Sequence, residues 1–93
     1  MSEKALQIPE RFDFGYHKEF TEQYQQILED KSVTRIALDF SRVGYLDSSA
    51  LGMMVLFQKK AKSQNISVRI RGAKDNAKEI LQIANFDRLF EIS

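Results

Sequence analysis

The chain contains no cysteine. That excludes a disulfide framework and a thiolate zinc site. It also has almost no net charge: 14 lysines and arginines face 13 aspartates and glutamates, a formal balance of +1. No strong field therefore points to nucleic acid or to an acidic membrane. Long apolar runs are missing too. The longest, Met53 to Phe57, is far too short to span a bilayer. The first residues, Met1-Ser2-Glu3-Lys4, lack the apolar core of a signal peptide. There is no internal repeat, no low-complexity segment, no linker, and no phosphate-cradling loop of the Walker type. Together these absences predict a soluble, cytoplasmic protein with no nucleic-acid or membrane partner and no metal or cofactor.

What is present is enough for one small domain, 1–93, with a single core: 93 residues, 43% hydrophobic and 29% charged. Ala5-Leu6-Gln7-Ile8 alternates and stops at Pro9, an edge-type strand with Leu6 and Ile8 facing inward. Arg11 to Gly15 reads as a turn-like link anchored by Phe12 and Phe14. Phe20, Tyr24, Ile27 and Leu28 recur at helical spacing, predicting a helix from Tyr16 to Glu29. Thr34 to Phe40 alternates again as a strand. Ser41 to Asp47 is a loop, and a second helix is expected from about Ser49 to Lys62. Ile66 to Arg71 is a third strand with clean alternation, stopped by Gly72. A third helix should cover about Asp75 to Ala84, with Asn85 as its terminator and Phe86, Leu89, Phe90 and Ile92 docking on the core.

Strands joined through helices pair in parallel. Ser67, Arg69 and Arg71 share one face of their strand, opposite Ile66, Val68 and Ile70. A parallel sheet covered on both sides would read as continuous apolar runs. The expectation is therefore an α/β domain with a mixed, mostly parallel sheet, helices packed on one face and water on the other. An exposed N-terminal edge would make a dimer conceivable, though the sequence does not fix an oligomeric state.

The chain is organised around Gly44-Tyr45-Leu46-Asp47-Ser48-Ser49-Ala50-Leu51-Gly52. Small polar residues stand where an apolar helix should begin. Asp and Ser cap helix starts because their oxygens accept the unpaired first-turn amides. Hydroxyls at the positive end of a helix are also well placed for phosphate. Capping alone is the plainer reading, and physics does not choose between Ser48 and Ser49. The helix that follows is apolar nearly all round, as for a helix that is buried or also meets a partner. Methionine suits adaptable surfaces, so Met53 and Met54 are candidates for the partner side, one of them for the core.

Residues 36–52, from Ile36-Ala37-Leu38-Asp39-Phe40 through Asp47-Ser48-Ser49-Ala50-Leu51-Gly52, resemble the signature of STAS domains, the bacterial anti-sigma factor antagonists. Residues 80–92, ending Leu89-Phe90-Glu91-Ile92, resemble the family's last helix and close, and Arg11-Phe12-Asp13 resembles its segment before the first helix. The resemblance implies a phosphorylatable switch. Ser49 would accept phosphate from a serine protein kinase, itself the anti-sigma factor or another regulator. The unphosphorylated form would bind that regulator, phosphorylation would release it, and a PP2C-type phosphatase would reset the switch. Asp47, Ser48, Asp13 and Asp39 would form the surroundings of the phosphosite, and Leu46, Ala50, Met53 and Met54 the docking face. Asp39 has a plainer alternative as a strand-end residue satisfying loop amides. Two departures stand out. Glu10 takes the position of a family glycine, and Ala50 replaces the glycine after the acceptor.

Other classes fare less well. A serine-hydrolase elbow needs Gly-x-Ser-x-Gly, whereas Asp47 and Leu51 flank Ser49. His17, the single histidine, is expected on a helix surface. A constitutive interaction module that uses the same helix without phosphorylation remains the alternative.

Overall fold

Alternation along the strands decides which side of the sheet meets water. The computed structural model describes residues 2–93, so Met1, where the N-terminal reading starts, lies outside it. In chain order the elements are β1 (Ser2–Gln7), β2 (Arg11–Phe12), α1 (His17–Glu29), β3 (Val33–Asp39), β4 (Tyr45–Leu46), α2 (Ser48–Ser63), β5 (Ser67–Arg71), α3 (Asp75–Ile83) and β6 (Glu91–Ile92). β1, β3, β5 and β6 form one sheet in the order β1-β3-β5-β6, and every pair in it is parallel. β2 and β4 form a separate two-stranded parallel ladder.

The one-sided α/β architecture is the expected one. Ile36 and Leu38 of β3 and Val68 and Ile70 of β5 are buried with Phe20, Tyr24, Met54, Phe57 and Leu81 from the helices. Arg35, Asp39, Ser67, Arg69 and Arg71 line the open face. Ala37 shares that face yet is 0% exposed. The covering comes from an ion pair that crosses β3: Arg69 on β5 donates to both carboxylate oxygens of Glu3 on β1, at 3.0 and 3.2 Å. A small residue at 37 lets the two long side chains meet over it.

Three short strands depart from the sequence reading. β2, β4 and β6 have two residues each, too few to show any alternation. The link at Arg11 to Gly15 thus holds a strand and a one-turn 3-10 helix, Phe14–Tyr16. Of its two aromatics only Phe12 is an anchor, sealed among Tyr16, Phe20 and Phe40; Phe14 is 69% exposed. Asn85 does end the third helical segment, in a left-handed conformation (φ 60°). Phe86 and Phe90 then return to the core, whereas Leu89 stays exposed. Gly72 closes the turn after β5 with φ +75°, and a Cβ there would meet the Ser41 backbone nitrogen at 3.2 Å. Only glycine takes that conformation at little cost.

Candidate functional site at the mouth of helix α2

The site is built by a strand ladder that aims a helix. After β3 the chain turns at Phe40, whose carbonyl accepts from Val43 N at 3.0 Å. Gly44 N and Tyr45 N then both donate to Glu10 O, at 2.9 and 3.1 Å. This fixes β4 beside β2, with Arg11 opposite Tyr45 and Phe12 opposite Leu46. Phe12 and Leu46 point into the core. Arg11 and Tyr45 therefore point outward, and the Arg11 guanidinium lies 4.5 Å above the Tyr45 ring.

Asp47 follows directly and is the cap of α2. Its carboxylate accepts from Ala50 N at 2.9 Å, and its backbone is extended. Ser48 and Ser49 are thus the first two residues of the helix, one turn-position earlier than expected, and neither serves as the cap. Ser48 is exposed and Ser49 half-buried.

Asp13 lies one residue beyond the Phe12–Leu46 pair, as Asp47 does on the other strand. The register brings the two aspartates to the same end of the ladder. Asp13 caps the 3-10 turn through Gly15 N at 2.9 Å and binds Arg11 Nε at 2.6 Å. That hydrogen bond, and then the Asp13 charge, hold the Arg11 guanidinium above its ordinary pKa, and Tyr45 and Asp47 push the same way.

Asp39 is not brought to this place. It sits on the open face of the sheet, in line with Arg35 and Ala37 and away from the helices. Its carboxylate accepts from Ser41 N at 2.9 Å and lies 3.8 Å from Arg71. The Ser41 amide, then the Ser41 hydroxyl, hold its pKa below the ordinary aspartate value against the opposing effect of burial. The plainer role, satisfying loop amides, is the one its contacts describe.

The expected docking residues need correction. Leu46, Ala50, Met53 and Met54 are all buried. The stripe Ala50, Met53, Met54, Phe57, Ala61 is the core side of α2, which leaves both methionines inside. The outward side is Ser48, Gly52 and Leu56, with Ser49, Leu51 and Val55 half-buried beside it. Leu56 is 48% exposed. His17 is exposed, as expected, and stacks on Phe14. Among the described residues no cluster of three or more His, Asp or Glu is arranged to hold a metal ion. No helix among them is long and apolar enough to cross a membrane.

A parallel sheet covered by helices on one side, with a serine pair at the mouth of one of those helices, defines the class: a small one-sided α/β domain. The comparisons with known proteins give the family. Residues 2–91 match the family described as "Mlab, STAS domain". A STAS-domain containing protein of Pseudomonas aeruginosa (strain UCBPP-PA14) is 38% identical over 93 residues, covering 98% of this chain and 88% of that one. The chain belongs to the STAS-domain family. The anti-sigma factor antagonist SpoIIAA in its unphosphorylated form superposes with a TM-score of 0.81 at 13% identity, over 100% of this chain and 82% of that one. The Bacillus cell fate determinant SpoIIAA in its phosphorylated form gives 0.71 at 12% identity, over 96% and 80%. A sulfate transporter family protein from Wolinella succinogenes gives 0.79 at 18% identity, over 97% and 75%. At such identities these likenesses speak for the fold.

Proposed function

We propose that this protein is a phosphorylation-controlled binding module of the anti-sigma factor antagonist type. Ser49 is the acceptor. The unphosphorylated form binds a regulator, a serine protein kinase that is either an anti-sigma factor or another signalling protein. Phosphate on Ser49 releases it, and a PP2C-type phosphatase restores binding. The observation that carries this reading is the second helical position of Ser49, half-exposed beside an outward apolar stripe. It draws further support from a structural relative known in both an unphosphorylated and a phosphorylated form.

The physics of release is electrostatic. A phosphate adds nearly two negative charges and three acceptor oxygens. A regulator fitted to a neutral serine next to Gly52 and Leu56 would have to bury that dianion unpaired. The penalty of several kcal/mol is enough to abolish micromolar binding. Asp47 is committed to its helix cap, so it is poorly placed to act as a base for Ser49. That favours a binding role over hydrolysis.

The test is direct. Ser49→Ala should bind the regulator as the wild type does, and Ser49→Asp should lose it by about 100-fold or more in affinity. Intact mass of the protein from cells grown under several conditions should show a phosphate-sized increment that is absent from Ser49→Ala. Equal binding by both variants overturns the switch. Binding with no increment under any condition supports a constitutive module.

A further inference from the structure

The outer side of the β2–β4 ladder carries Arg11, Tyr45, Asp13 and Asp47, while Phe12 and Leu46 face the core. Each carboxylate already has a backbone donor: Gly15 N for Asp13 and Ala50 N for Asp47. Arg11 is held differently. Its Nε donates to Asp13, its plane rests over the Tyr45 ring, and its side chain is 70% exposed. The two terminal nitrogens, the half of the guanidinium that forms a fork, have no hydrogen-bond partner among the described residues. The strand that bears Tyr45 runs within two residues into α2, and the charge of Asp47, the α2 cap, acts on Arg11, so the fork lies on the side of the ladder from which α2 starts.

Taking Ser49 as the acceptor proposed above, we infer that Arg11 is the residue that receives the phosphate. Once Ser49 is esterified, the free donors of Arg11 pair with the phosphate oxygens and the hold of Asp13 on the guanidinium weakens. A dianion with three acceptors outcompetes a monoanion that also serves a backbone amide, and the planar fork matches phosphate geometry. The pairing offsets the repulsion from Asp47 and Asp13, the negative groups beside the site. Tyr45 supplies a neutral ring that keeps the guanidinium in plane. Phosphorylation thereby reshapes the ladder as well as charging the helix mouth: Arg11 shifts from Asp13 toward the phosphate, and Asp13 keeps its bond from Gly15 N.

The experiment uses full-length protein with phosphoserine genetically encoded at 49, so its outcome does not depend on whether any cell phosphorylates that residue. Phosphorus NMR reads the second ionisation of the phosphate against pH. Arg11→Gln should raise that pKa by about half a unit, a threefold change in the acid dissociation constant, and Arg11→Lys should fall between. Asp13→Asn should lower it in the wild-type background, by a smaller amount once Arg11 is Gln. In the unsubstituted phosphoprotein the Arg11 Nε–H resonance should titrate with the same midpoint as the phosphorus signal. A phosphate pKa unmoved by Arg11→Gln, strictly additive Arg11 and Asp13 effects, or a stationary Arg11 resonance would overturn the inference.

Discussion

Gly52 has no structural reason to be glycine inside its own domain. It lies in the interior of α2 and is exposed, and a Cβ added there would meet nothing within 4 Å. Glycine in a helix interior is destabilising by about 0.5–1 kcal/mol relative to alanine. A residue that weakens the fold while leaving space above it fits a surface that another backbone approaches closely. Gly52→Ala should therefore act in opposite directions on two readouts. Stability should rise by about 0.5–1 kcal/mol, and the thermal midpoint by about 2–8 °C for a domain of this size. Affinity for the proposed regulator should fall. A substitution that raises the midpoint and leaves binding intact would show that nothing docks over this turn. Gly72 is the contrast: its positive φ and the Ser41 backbone beside it give an internal reason, so alanine there should destabilise.

Helix α2 marks the boundary of what could be read from sequence. Its existence and place were legible, because an Asp-Ser-Ser start before an apolar run fixes the helix mouth. Its rotation was not. Leu51, Met53, Met54, Val55, Leu56 and Phe57 are apolar on every side, so periodicity gives no phase. Strand β5 was legible down to single side chains, because Val68 and Ile70 against Arg69 and Arg71 leave one assignment. The two-residue strands β2, β4 and β6 fell below any periodic signal, and with them went the ladder that carries Arg11 and Tyr45. The tertiary partners of α2 decide its phase: Met54 and Phe57 are sealed in the core, Phe57 against Phe20 and Tyr24 of α1, and Leu56 turns outward. This element therefore yields a paired expectation. Met54→Ala should lower unfolding free energy by about 2–5 kcal/mol through the cavity it leaves. Leu56→Ala should change stability by no more than about 0.5 kcal/mol yet weaken regulator binding at least about fivefold. Chemical denaturation and a binding titration on both variants check the assignment; similar stability losses in the two would mean the helix is rotated from the phase described.

Across the whole molecule, the open side of the sheet works as a charged lattice that ties the outer strand β1 to β5 over the top of β3. Glu3 accepts from Nε and Nη2 of Arg69 and faces Arg35 at 4.0 Å. The Arg69 hydrogen bond, and then the arginine charges, hold its pKa below the ordinary glutamate value against opposing desolvation. Asp39, on the same face, is held low by Ser41, and Asp30, at the end of α1, by the Ser32 hydroxyl and amide. In each case the native carboxylate keeps its charge to lower pH than the same residue in the unfolded chain. Between the two values the unfolded chain binds more protons, so stability increases with pH there. The contribution is complete above the ordinary carboxylate range near pH 4 and disappears as pH falls through the native values. Urea midpoints should accordingly be level from about pH 7 to pH 5 and drop below about pH 4. Arg69→Gln removes the first cause of the Glu3 shift, so the drop should become shallower, and Asp39→Asn on top of it should flatten it further. The readout is the slope rather than the level. Arg69→Gln also uncovers Ala37, which lowers stability equally at every pH. An acid slope in Arg69→Gln as steep as in the wild type would mean that the charge attraction across β3 contributes nothing to folding, and that β1 is held by its backbone ladder to β3 and by the buried Leu6.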